Sequence, residues 1–154
     1  MQKVTLLTVG SPKSSWVREG REEYICRLLG SIDFSIVPIQ PGKSKDPVRQ
    51  CEEESQRLLA ALSKQEGEVW VLDESGKELS SQELASTLAR ARDLGTKITF
   101  VLGGAYGLND AVRSRAERII ALSKMTFPHE LCQLIFLEQL YRAAQIQKGS
   151  GYHH

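Results

Sequence analysis

The sequence predicts a single α/β domain over residues 1–154, with a largely parallel sheet and helices on both faces. Three observations carry that expectation. Short β-branched or apolar runs alternate with longer stretches of helical period, the pattern of strand–helix–strand units. Two of the runs, residues 68–73 and 98–102, are apolar without alternation, as strands covered on both faces must be. And 154 residues, 41% hydrophobic and 25% charged, suit one ordinary globular core, with no length to spare for a second.

Taken in order, residues 4–9 read as the first strand, ending at Gly10 and Pro12, and the Ser14-Ser15 pair can cap a helix to about residue 29. Residues 33–39, with Phe34, Ile36, Val37 and Ile39, form the second strand, closed by the turn Pro41-Gly42. The chain then turns basic at Lys43, Lys45 and Arg49 and enters a helix over about 46–64, whose Leu58, Leu59 and Leu62 give an apolar stripe. Residues 68–73 form the third strand, stopped by Ser75-Gly76. Ser80 and Glu83 are spaced as a capping box, opening a helix that Gly95 closes. The strand at 98–102 runs straight into Gly103-Gly104-Ala105-Tyr106-Gly107. Asn109 caps a short helix to about 117 that leads to the apolar run 119–122. Pro128 suits the first turn of the last and longest helix, and Gly149 ends it. Apolar residues from Leu131 to Ile146 wrap more than half of that helix, more than one domain's flank needs, so a partner subunit is expected against it.

Several function classes are excluded. Lys plus Arg number 20 against 19 Asp plus Glu, so no long-range field draws in a polyanion, and any RNA binding must come from a local patch. Cys26, Cys51 and Cys132 are odd in number and fall in helical sequence, which argues against a disulfide framework and for the reducing cytoplasm. The N-terminal residues have neither the length nor the cleavage site of a signal peptide, and no apolar run is long enough to span a bilayer. His129, Cys132, His153 and His154 make no metal-ligand spacing, so no metal is expected. A nucleophile elbow is missing too, which argues against covalent hydrolysis.

Chemistry is expected where glycines follow a buried strand, because bare backbone can approach a ligand closely. Leu102 to Leu108 is such a segment, although it matches neither G-x-G-x-x-G nor a P-loop, and a tight turn without a ligand remains the other reading. Asp73 should reach the same edge of a parallel sheet, as ligand contact or turn residue. The segment 122–129, with hydroxyls, a lysine and unpaired main chain beside Met125 and Phe127, suits an adenine and a sulfonium-bearing amino acid, or is a plain connector. His129 stands alone on a first helical turn. Arg142 lies four residues after Glu138 and is either an ion-pair partner or a substrate contact. The tail 148–154 is a frayed end or a tag remnant, or else a pocket wall with Tyr152 stacking on a base.

Residues 100–108, 122–129 and 137–143 and the terminal Tyr152-His153, together with Thr8-Val9-Gly10 and Pro41-Gly42-Lys43, closely resemble the RlmH family. That family comprises ribosomal large-subunit pseudouridine N3-methyltransferases of the SPOUT superfamily. The resemblance implies a SPOUT-type α/β fold whose C-terminal part is threaded as a trefoil knot. It implies a homodimer built on the last helix, with S-adenosylmethionine as cofactor and 23S rRNA in the assembled ribosome as substrate. By the same likeness Leu72, Gly103, Gly104, Leu122, Ser123, Lys124, Met125, Thr126 and Phe127 line the cofactor pocket. Tyr152 and His153 close over an active site, the chain's own or its partner's, with Arg142 and His129 as further catalytic candidates.

Overall fold

The computed structural model describes residues 1–154. Ten elements follow one another: β1 (Gln2–Val9), α1 (Ser15–Leu28), β2 (Ile32–Ile39), α2 (Pro47–Leu62), β3 (Glu68–Glu78), α3 (Ser81–Asp93), β4 (Ile98–Leu102), α4 (Asp110–Arg115), β5 (Arg118–Ala121) and α5 (His129–Lys148). The five strands form one sheet in the order β2-β1-β4-β3-β5, every pair parallel. Alternation of side chains across the pleat splits the core in two. Val4, Leu6, Trp70, Leu72, Phe100 and Leu102 face α1, α3 and α5, while Leu7, Val69, Val71 and Val101 face α2 and α4. The sheet is therefore sandwiched, and β4, its central strand, is buried at all five residues.

The element ends that differ from expectation do so through bonds made across the fold. β1 starts at Gln2, whose buried side chain donates to the Leu88 carbonyl at 3.1 Å. Ser14 is the N-cap residue of α1, yet its side chain makes no capping bond. Glu130, on the first turn of α5, accepts from the backbone N–H groups of Lys13 and Ser14 instead. The short α4 stops at Arg115 because Glu117 is drawn onto β3, its N–H donating to the Val69 carbonyl at 2.8 Å and its carboxylate accepting from the Val69 N–H. β3 does not end at residue 73. It continues irregularly to Glu78, pairing again with β5 at Ile120 and Ala121. Gly76 makes that possible, since a Cβ there would lie 2.6 Å from the Ile119 backbone.

Most helix ends fall where their local signals put them. Asp46 caps α2 by accepting from the Arg49 N–H, with Pro47 just inside, and Ser80 and Glu83 form the full capping box on α3. Gly149 ends α5 in the left-handed conformation at φ 66°, which only glycine adopts cheaply. α5 lies between α1 and α3 across the sheet, with Phe136, Leu137, Leu140, Ala143 and Ala144 buried in the chain's own core. Gly20 of α1 lets Leu134 come close, as a Cβ would stand 2.8 Å from its Cδ1. Most of the apolar circumference of α5 is thus taken by the sheet and helices of the same chain, so that surplus does not by itself require a partner.

Candidate active site

Because β3 lies between β4 and β5, the segments leaving those three strands converge at one edge of the sheet. Register fixes this: Leu72 pairs with Leu102 on one side and with Ile120 on the other. Between them opens a cavity of about 800 Å³. Leu72, Asp73 and Glu74 line it from β3, residues 102–108 from beyond β4, and Leu122, Ser123 and residues 125–129 from beyond β5, with Cys132 closing it from α5. Of the residues assigned to the pocket, only Lys124 does not line it. Its side chain is 90% exposed, and its ammonium pairs with Glu78 at 3.7 Å.

The main chain at this rim is open. No backbone partner engages the N–H groups of Leu122, Ser123, Lys124, Thr126 and Phe127, and Met125 donates only to the Ser123 hydroxyl at 3.0 Å. The glycine segment folds as a tight turn in which the Gly107 N–H donates to the Gly104 carbonyl at 3.1 Å. Gly103 and Gly104 are needed where they stand. A Cβ on Gly103 would lie 2.9 Å from Leu108 Cγ, and one on Gly104 would lie 2.7 Å from a carboxylate oxygen of Glu54. Glu54 is 1% exposed, and its other oxygen accepts from the Gly42 N–H at 3.0 Å, which fastens the Pro41-Gly42 turn beside the glycine turn.

Asp73 lines the cavity and acts as a turn residue, accepting from the Ser75 N–H and hydroxyl. Glu74 carries no signal in the sequence, yet its carboxylate accepts from the Thr126 hydroxyl at 2.9 Å and ties two walls together. Cys132 is likewise a wall residue that its sequence context does not mark. Burial pushes its thiol up from the ordinary cysteine value, so it stays protonated at neutral pH and is a poor nucleophile. No group of three or more His, Cys, Asp or Glu could hold a metal ion, and no helix is long and apolar enough to cross a membrane.

Arg142, Tyr152 and His153 come together, but away from this cavity. Glu138 organises them, accepting from Arg142 at 2.7 and 3.0 Å and from the Tyr152 hydroxyl at 3.1 Å. The tail folds back so that the Arg142 guanidinium lies 4.8 Å from the centre of the Tyr152 ring, and its Nη1 stands 3.1 Å from His153 Nδ1. Arginine has no acceptor, so Nδ1 accepts, and the neutral imidazole carries its proton on Nε2. Burial first, and then the Glu138 bond, push the Tyr152 phenol up, so it is a hydroxyl donor and no phenolate at neutral pH. The Glu138 bond likewise raises Arg142 and keeps it charged. Arg142 is ten residues beyond Cys132 on α5, about 15 Å along the axis at the rise of an α-helix. Of the four catalytic candidates, only His129 stands at the chain's own cavity.

An all-parallel, three-layer α/β sheet with open main chain at its carboxyl edge belongs to the class of folds that take small ligands, where they take them, in the crevice beyond their strands. The chain belongs to the SPOUT methyltransferase family, whose model, described as "Predicted SPOUT methyltransferase", matches residues 2–153. It is 43% identical, over 99% of both chains, to the Ribosomal RNA large subunit methyltransferase H of Geotalea daltonii. It is 41% identical, over the full length of both, to the protein of the same name from Solidesulfovibrio magneticus. The resemblance to the RlmH family seen in loops and tail is therefore sound. A solved structure titled as a probable methyltransferase from Bordetella pertussis Tohama I is similar in fold, with a TM-score of 0.56 at 14% identity over 93% of this chain and 95% of that one.

Proposed function

We propose that this protein transfers a methyl group from S-adenosylmethionine to N3 of a pseudouridine in 23S rRNA, acting as a homodimer on the assembled ribosome in the cytoplasm. The observation that carries the reading is the cavity where three strand ends meet, walled by unpaired main chain. Its size lies within the range of small-ligand sites, its apolar walls suit a purine, and its free N–H groups suit an amino-acid carboxylate. Leu72, Gly103, Gly104, Leu122, Ser123, Met125, Thr126 and Phe127 would hold the cofactor. S-adenosylmethionine, when bound, supplies an electrophilic methyl group on a sulfonium.

The work left to the chain is to orient the target base, exclude water and manage one proton. N3 of pseudouridine carries a proton at neutral pH, and negative charge develops on the flanking carbonyls as it leaves. Arg142, permanently charged, and His153, donating through Nε2, are suited to stabilise that charge, which leaves His129 at the cavity as the candidate base. Tyr152 can hold the base by its ring or its hydroxyl. Since Arg142, Tyr152 and His153 do not line their own cavity, and Arg142 stands about 15 Å along α5 from Cys132 by helix rise, the tail of one subunit serves the cavity of the other in this reading. The trefoil knot of the C-terminal segment belongs to the same proposal, and the free state of all three cysteines is compatible with the cytoplasm.

The test is transfer of tritiated methyl groups to ribosomes from a strain lacking this protein, with mass spectrometry locating the mark. Isothermal titration should detect S-adenosylmethionine and not NAD. Tight NAD binding, or ribosomes left unlabelled, would overturn the reading.

A further inference from the structure

We propose that Tyr106, at the apex of the glycine turn, is a stacking platform for an unpaired base of the substrate RNA beside the methylated nucleotide. This rests on the methyltransferase reading above. Tyr106 lines the cavity yet is 50% exposed, and its hydroxyl takes no partner in the fold. It is not a floppy side chain on a loose loop. The Gly104–Gly107 bond, the close fit of Gly103 against Leu108 and the left-handed Gly107 at φ 75° lock the turn that carries it. An aromatic ring carried on a fixed backbone turn, with its face wet and only its own two side-chain torsions to settle, can stack on unpaired bases without regard to their identity.

Charge at the same place selects the partner. The first turns of α2 form the floor of the glycine turn: Cys51 Sγ lies 3.7 Å from the Gly107 carbonyl, and the Asn109 N–H donates to Ser55 at 3.0 Å. Just ahead of that floor stand Lys43, Lys45 and Arg49, all exposed and none in an ion pair. Glu54, which accepts from the Gly42 N–H and packs against Gly104, brings the start of this basic segment beside the glycine turn. Although Asp46, Glu52 and Glu53 lie among the cations, a wet aromatic with lysines and an arginine nearby matches a strand that offers a base and phosphates in turn. Stacking on the cofactor's adenine is the competing use of the ring, and binding of the cofactor alone separates the two.

The experiment compares methyl transfer to unmodified ribosomes with titration of S-adenosylmethionine for wild type, Tyr106→Ala and Tyr106→Phe. Tyr106→Ala should raise KM for ribosomes by about tenfold, the scale of one base stack removed, with kcat and the cofactor Kd changed by no more than about twofold. Tyr106→Phe, which keeps the ring, should restore the low KM. Replacing Lys43, Lys45 and Arg49 with alanine should flatten the dependence of log KM on log salt by up to about three units, one for each phosphate no longer neutralised. A cofactor Kd weakened as much as KM assigns the ring to the cofactor, and an unchanged KM removes Tyr106 from the substrate path. Either result with an active wild type overturns the stacking role alone. A wild type inactive on ribosomes overturns the methyltransferase reading and the stacking partner with it.

Discussion

At the scale of single residues, two positions carry testable consequences. Glu130 caps α1 from another element, and its bonds from the Ser14 and Lys13 N–H groups hold its carboxyl below the usual carboxylate range. A lowered folded value means stabilisation that is present above the unfolded pKa and lost as pH falls through the folded one. Glu130→Gln should therefore cost about 1 kcal/mol at pH 7, the usual worth of a cap. In urea denaturation the gap to wild type should close in acid, and a gap undiminished at low pH would assign the effect elsewhere. Gly103 is the second position. Gly103→Val must push Leu108 and Gly107 aside, so the turn deforms at the cavity while the sheet beneath keeps its register. S-adenosylmethionine binding should be lost by titration with the far-ultraviolet spectrum unchanged. Unaltered binding would remove the glycine turn from the pocket.

At the scale of elements, α5 links two clusters, with His129 and Cys132 at the cavity and Glu138 and Arg142 in the tail cluster. Its left-handed cap at Gly149 turns the chain back so that Tyr152 and His153 meet Arg142. Gly149→Ala should lower stability by about 1 kcal/mol, the penalty of a Cβ in that conformation. It should also reduce kcat by loosening the tail, while the cofactor Kd holds. A drop in stability with turnover unchanged would make the cap merely structural. The capping signals of α3 and α4 could be read directly because each is a local bond between neighbours in sequence. The continuation of β3 through Asp73 to Glu78 was not readable, since Ser75-Gly76 is a stop signal locally and only β5 supplies the second pairing.

At the scale of the whole molecule, Arg142, Tyr152 and His153 stand apart from the cavity of their own chain, so the proposed dimer can be tested for shared sites. If sites are shared between subunits, chains carrying Gly103→Val and chains carrying Arg142→Ala should each be inactive. Mixed after reversible dissociation, they should regain about a quarter of wild-type activity, since half the dimers are mixed and each of those has one intact site. No recovery, with mixed dimers verified by mass spectrometry, would place tail and cavity of one chain in the same site.

The amino-acid sequence by itself determined the element types, the buried character of the central strands, the caps of α3 and α4, and the three segments from which the cavity is made. Those are matters of local bonding and periodicity, which neighbours in the chain decide. It also marked Arg142, Tyr152 and His153, though it left open whether the Glu138 pair was structural or functional. The folded chain makes it an organising contact, because the same carboxylate also takes the Tyr152 hydroxyl. Only the tertiary structure decided that β3 stands between β4 and β5, so that segments far apart in the chain share one rim. It also decided that α5 is covered mainly by its own chain, that Glu130 caps a helix 116 positions away, and that the tail gathers far from the chain's own cavity. Strand order and long-range capping depend on which buried surfaces fit together, and no local pattern in the sequence encodes that fit.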